Sequence, residues 1–149
     1  MRILLLVAAA LIAGCPGKGA TGPYTPGGFA GDLAFAAAGA GEASASWLFG
    51  NLKPGTYRVS ATWVPHPNRA TNAPFTILDG ASMVGQVKVD QRQAPVSRTS
   101  LGADWQDLGS SHTITGDALT VRLTNNADGY VIADAVQIEQ LKPGPPSCR

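Results

Sequence analysis

Thr56-Tyr57-Arg58-Val59-Ser60-Ala61-Thr62-Trp63 is the stretch that decides the fold. Tyr57, Val59, Ala61 and Trp63 take alternate positions, and Thr56, Arg58, Ser60 and Thr62 take the others. Side chains along a strand point to opposite faces in turn. A period of two therefore predicts a strand with one face in a core and one toward solvent, as in antiparallel sheets. Pro54-Gly55, just before it, marks a turn.

The flanking segments repeat the pattern. In Ala43–Phe49, the residues Ala45, Trp47 and Phe49 share one face, and Ser44 and Ser46 the other. In Ala118–Thr124, Leu119, Val121 and Leu123 point inward, while Thr120, Arg122 and Thr124 point outward. Shorter strands are predicted at Pro74–Leu78, Val84–Val89 and from Trp105 to Leu108. Asn125–Gly129 has the composition of a hairpin turn, and Tyr130–Ile138 is the last strand. Val64–Ala73 is a polar loop with two prolines, and Gln91–Asp104 reads as irregular. Residues 31–41 have some helical propensity, but their three glycines argue against a long helix. About seven short strands separated by turns, in a chain of 149 residues, imply one domain. The expected class is all-β, a jelly-roll-like antiparallel β-sandwich over residues 29–141.

Composition excludes several functions. Formal net charge is +1, and no run of like charge stands out. A dedicated nucleic-acid binder would show a basic stripe. Electrostatic attachment to a membrane has no more support.

The N-terminus reads as an address. After Met1-Arg2, an apolar run from Ile3 to Ala13 is too short to span a bilayer, which takes about 20 residues, and it suits the core of a secretory signal. It ends in Leu11-Ile12-Ala13-Gly14-Cys15, which resembles the lipobox of bacterial lipoproteins. That resemblance implies a signal peptide over 1–14, a lipid on Cys15, export and a membrane anchor. Residues 15–28 then form a Gly/Pro/Thr-rich tether, and 142–149 a disordered tail. Cys148, in that tail, is left without an intrachain partner.

Three further segments carry a second resemblance. They are Pro54–Val59, Pro67-Asn68-Arg69-Ala70-Thr71-Asn72-Ala73-Pro74-Phe75-Thr76-Ile77, and Gly129-Tyr130-Val131-Ile132-Ala133-Asp134-Ala135-Val136, joined by Trp105-Gln106-Asp107-Leu108-Gly109. Their order and spacing resemble the golvesin/xanthan-lyase carbohydrate-binding-like domain, from about Phe29 to Glu139. The resemblance implies a β-sandwich of secreted bacterial proteins, often joined to polysaccharide-active enzymes. No enzyme domain accompanies it in this sequence.

No catalytic constellation is legible. The two histidines, His66 and His112, fall in no G-x-S-x-G or H-E-x-x-H context. Glycosidases need two carboxylates about 5–10 Å apart, and the sequence pairs none. The expectation is therefore a non-enzymatic protein with no cofactor. Thr124-x-Asn126-x-Asp128-Gly129 echoes part of a calcium loop, but position twelve is Ala135 and the segment reads as a turn. Sandwich modules of this kind sometimes hold a structural calcium, for which Asp32, Glu42 and Asp134 are the candidates.

Binding candidates follow from residue type. Asn68, Arg69 and Asn72, with His66, populate the polar loop, where ligands of sandwich modules often meet the protein. Trp105 and Tyr130 are the aromatics near loops, and Trp47 and Trp63 lie on apolar strand faces as core residues. Asp134 stands in the apolar row Tyr130, Ile132, Val136 and Ile138. A buried carboxylate needs a partner, and the Asn68–Thr71 loop, Arg69 included, is the expected donor. The leading expectation is a surface-anchored polysaccharide-binding module. The alternative is a structural or protein-interaction domain of the cell envelope, which an exposed small-residue patch at Val131, Ala133 and Ala135 would favour.

Overall fold

A computed structural model describes residues 4–7, 11–13, 28–29 and 33–143. Cys15, Asp32, Cys148 and all of the 15–28 tether except Gly28 lie outside the described residues. The described strands are β1 (Leu4–Val7), β2 (Leu11–Ala13), β3 (Ala34–Ala36), β4 (Ser44–Phe49) and β5 (Gly55–Thr62). β6 (Ala73–Asp79), β7 (Ser82–Val89), β8 (Arg98–Ser100) and β9 (Ala103–Asp107) follow. β10 (His112–Ile114), β11 (Leu119–Thr124), β12 (Val131–Ala133) and β13 (Ala135–Gln140) complete the chain. No α-helix occurs among the described residues.

The strands form an antiparallel β-sandwich, as the alternating pattern requires. One sheet runs β1-β13-β5-β9-β8, with β10 beside β9 on the same edge of β5. The other runs β2-β4-β11-β6-β7. A two-stranded ribbon, β3 with β12, stands apart. The segment read as the core of a secretory signal thus supplies an edge strand to each sheet. β1 pairs with β13, and β2 with β4.

The core forms where the apolar faces of the sheets meet. Tyr57, Val59, Ala61, Val136 and Ile138 from the first sheet pack with Ala45, Trp47, Phe49, Phe75, Ile77, Leu119, Val121 and Leu123 from the second. Trp47 stacks on Phe75 at 6.4 Å between ring centroids. Burying each side chain of this size stabilises the fold by about 1.5–3 kcal/mol. Trp47 and Trp63 are both buried, as the alternation predicts.

The last strand departs from the expectation. The chain breaks at Asp134, leaving the β3 ribbon and entering the first sheet beside β5. Both Asp134 oxygens accept a hydrogen bond from the Phe29 amide, at 2.9 and 3.0 Å. Phe29, and not the Asn68–Thr71 loop, is the donor described for it. Asn125–Gly129 also does not close a hairpin, because β11 and β12 belong to different sheets. The Asn125 side chain holds that crossing in place. Its oxygen accepts from the Gly41 and Ala43 amides at 3.2 and 3.1 Å, and its nitrogen donates to the Ala37 carbonyl at 3.1 Å. The small-residue patch at Val131, Ala133 and Ala135 is buried, with β12 paired to β3 and β13 inside its sheet.

Candidate functional site

Among the described residues, two clusters of polar groups bear on binding. The first is the loop cluster legible in the sequence. Arg69 forms a parallel bridge with Tyr130, and the Tyr130 amide donates to the Asn68 carbonyl at 3.1 Å. This bridge brings Asn68, Arg69, Asn72 and Tyr130 together. Gly129 allows it, because a Cβ there would lie 2.8 Å from the Arg69 carbonyl carbon and oxygen.

Most polar groups of this cluster are engaged with one another. The Thr71 amide donates to Asp128 at 2.7 Å, the Thr71 hydroxyl donates to the other Asp128 oxygen, and the Asp128 amide donates to Asn72 Oδ1 at 3.0 Å. Those Thr71 bonds hold the Asp128 carboxyl below its ordinary range. Asn68 Oδ1 accepts from Arg69 Nη1 at 2.9 Å and lies 2.8 Å from His66 Nδ1. Arg69 Nε is buried without a partner, and desolvation lowers the pKa of its guanidinium. Tyr130 is half-buried and meets Phe35 edge-on at 6.2 Å. Behind the cluster, Gln91 is fully buried and clamps Ile132, donating to its carbonyl at 2.9 Å and accepting from its amide at 2.8 Å.

Trp105, a binding candidate in the sequence, does not present its ring to solvent. Its ring is 0 % exposed, packs against Phe29 at 5.4 Å and donates its indole N–H to the Ser100 carbonyl at 2.8 Å. As for metal ligands, no group of three His, Cys, Asp or Glu side chains converges among the described residues. Hydrogen bonds from its own backbone amide, from the Ala40 amide and from Asn125 lower the pKa of Glu42.

The second place was not singled out in the sequence. On the outer face of the first sheet, Arg58, Ser60, Arg98, Thr99, Ser100, Gln137 and Glu139 line a groove of about 370 Å³, the size of a small-molecule site. Strand alternation creates it. The partners of core-facing Val59 and Ala61 are Arg58 and Ser60, and those of Val136 and Ile138 are Gln137 and Glu139. Register then sets Arg58 opposite Glu139 and Ser60 opposite Gln137. On its other side, Ser60 faces Asp107 of β9.

Two cations and one anion line the groove, and a second anion, Asp107, lies against both arginines. Arg58 Nη1 donates to Glu139 at 3.0 Å, and its Nε lies 3.8 Å from Asp107. Arg98 grips Asp107 through Nη2 and through Nε at 3.0 Å, and Ser60 donates to the same carboxylate at 2.7 Å. The four charged side chains are 21–32 % exposed, so they are held firmly yet reachable from solvent. Gln137 is only 4 % exposed, and its Oε1 has no hydrogen-bond partner.

This fold is that of the carbohydrate-binding-module β-sandwiches. A domain of Paenibacillus xanthan lyase superposes with a TM-score of 0.59 at 24% identity, over 93% of this chain and 12% of that one. A family 35 carbohydrate-binding module from an environmental isolate gives 0.55 at 14% identity, over 95% of this chain and 99% of the module. The family 35 module of Abf62 from Cellvibrio japonicus gives 0.50 at 16% identity, over 93% and 92%. The chain spans between 12% and 29% of the length of the larger enzymes it resembles. Its residues 20–140 match the Golvesin C-terminal domain, and the chain belongs to that family. No curated protein sequence matches it.

Proposed function

We propose that this chain is a non-catalytic glycan-binding module, held at the bacterial surface by a lipid on Cys15, that takes polysaccharide in the groove of the first sheet. The observation that carries the reading is the groove itself. It presents two guanidinium groups, the Glu139 carboxylate, hydroxyls and an amide on a rigid sheet, with Asp107 bound to Arg98 beside it, on a fold shared with family 35 modules. Glycans are recognised through many directional hydrogen bonds to hydroxyls, and preorganised polar groups supply these at low entropic cost. The carboxylates, Asp107 and Glu139, are engaged by arginines rather than poised as an acid–base pair.

Affinity electrophoresis of the purified protein through gels containing different polysaccharides tests the binding. Retardation by a polymer, abolished in Arg98→Ala with the melting curve preserved, is the expected result. Uniform mobility in every gel would remove the glycan reading. The anchor rests on Leu11–Cys15 alone, and mass spectrometry of the protein from its native membrane tests it. A diacylglyceryl group on an N-terminal Cys15 supports the anchor, and an unmodified N-terminus at Met1 rejects it. Cleavage before Cys15 would also remove β1 and β2, leaving β13 and β4 as sheet edges.

A further inference from the structure

We infer that the groove selects neutral, hydroxyl-rich glycans over acidic ones, and that Gln137 is the acceptor a sugar hydroxyl satisfies. This rests on the glycan-binding reading above and names the ligand class for the same groove.

Two independent observations converge. The first is Gln137. Its side chain lies in the groove wall, 4 % exposed, and Oε1 is itself buried without a donor, so it meets a ligand once the amide turns about its last bond toward the groove. Such an acceptor is costly to leave unmet, and the sheet around it offers apolar Val136 and Ile138 on the opposite face. A carbonyl oxygen of this kind needs a donor. A sugar hydroxyl donates and accepts. The anionic group of a uronate, sulfate or pyruvate ketal only accepts, so the donor to Oε1 has to be a sugar hydroxyl.

The second observation is charge. Arg58 and Arg98 are the cations that an acidic sugar would seek, and both are already committed. Arg98 is held through two nitrogens by Asp107, and Arg58 by Glu139 at 3.0 Å. Arg98 Nη1 also lies 3.9 Å from Glu139. A further carboxylate would have to break one of these pairs and then sit beside the displaced carboxylate. Like charges at such distances repel, and a partly buried pair broken on one side leaves an uncompensated charge. A hydroxyl carries no charge and adds to the groove without displacing a carboxylate from either pair.

The test is isothermal titration of the purified protein, alongside affinity gels, with neutral polymers (dextran, mannan, laminarin, galactan) and acidic ones (alginate, polygalacturonate, xanthan). The wild type is expected to bind a neutral polymer, with affinity that changes little between low and high salt. Gln137→Leu is expected to lose about tenfold in affinity, the worth of one good hydrogen bond, with a melting temperature equal to or above the wild type. Gln137→Glu keeps the shape, adds a third carboxylate and is expected to weaken binding by at least as much. This second variant serves if the leucine variant fails to fold. Binding of acidic polymers alone, weakened by salt, would overturn the ligand class while leaving the glycan reading intact. Neutral-polymer binding unchanged in both variants would overturn the role of Gln137. No binding to any polymer would overturn the glycan reading itself.

Discussion

The loop cluster around Arg69 and the groove around Arg98 contain the same kinds of residue, put to different uses. In the loop cluster, nearly every hydrogen bond closes on the protein. Asp128 is occupied by Thr71, Asn72 by the Asp128 amide, and Asn68 by Arg69 and His66. Those bonds hold three irregular segments against the sandwich where no ladder can hold them. In the groove, the backbone is already satisfied by the sheet, so the side chains are released from that duty. They pair laterally, and each region leaves one buried atom unmet, Gln137 Oε1 in the groove and Arg69 Nε in the loops. Polar loops bind their own backbone first, whereas a sheet face can keep its side chains for a ligand. If the proposed groove is the site, the loops serve stability and the sheet serves recognition.

The strongest way to break that assignment is Gln91→Ala. The substitution orphans the buried amide and carbonyl of Ile132, which Gln91 alone is seen to bind from the 90–93 turn. The expected loss is about 2–4 kcal/mol, from two unmet buried groups, read by urea denaturation. If the groove is the site, glycan affinity at temperatures well below the melting point stays unchanged. A variant that keeps its stability and loses binding would move recognition to the loops. Gly129→Ala follows. A methyl group there meets Arg69 backbone at 2.8 Å and the Ala70 nitrogen at 2.9 Å, and backbone cannot swing aside as a side chain can. Overpacking of this kind costs about 1–3 kcal/mol. A stability within a few tenths of the wild type would show that the bridge between Arg69 and Tyr130 is slack.

How much of this was legible in the sequence depends on the element. Period-two strands bounded by turn residues stand out: β4, β5, β6, β7 and β11 fall within two residues of their expected ends. β8 and β9 form a hairpin that the sequence hides. Its turn is Leu101-Gly102, with φ of +54° and +75°, and leucine at such a position gives none of the Asn-Gly signal. The split at Asp134 is hidden for another reason. Alternation continues through it, and only the partners reveal that the chain has changed sheets. The loop residues were identifiable by composition, and the structure does bring them together. The groove was not identifiable, because Arg58 and Glu139 are 81 positions apart and become neighbours only through the β5–β13 register. Each, read alone, is an ordinary outward-facing polar residue.

The cluster's role in stability also has a pH signature. Asp128 is solvent-exposed, and the Thr71 bonds lower its pKa from the ordinary value of 3.8. A carboxyl depressed in the folded state stabilises the protein above its unfolded pKa, and that contribution fades as pH falls through the folded value. Melting temperatures of wild type and Asp128→Ala, taken from pH 6 down to pH 2, should therefore converge at the acid end. A gap that is constant across the range would mean that the hydroxyl and amide of Thr71 gain nothing from the charge.

The smallest expected effect is the most specific to the groove. A double-mutant cycle on Arg58 and Glu139 measures a pair bonded at 3.0 Å with side chains 32 % and 21 % exposed. Water screens such a pair, so the coupling should be about 0.5 kcal/mol in stability. Binding should respond far more than stability, because the pair fixes the direction of the donors and acceptors offered to a ligand. Removing either partner lets the other side chain move, and the ordered array must then be re-formed when a glycan arrives. A cycle in which stability and binding fall together would reduce the network to a structural device and make groove and loops alike. Small coupling in folding with large coupling in binding is the result that separates them.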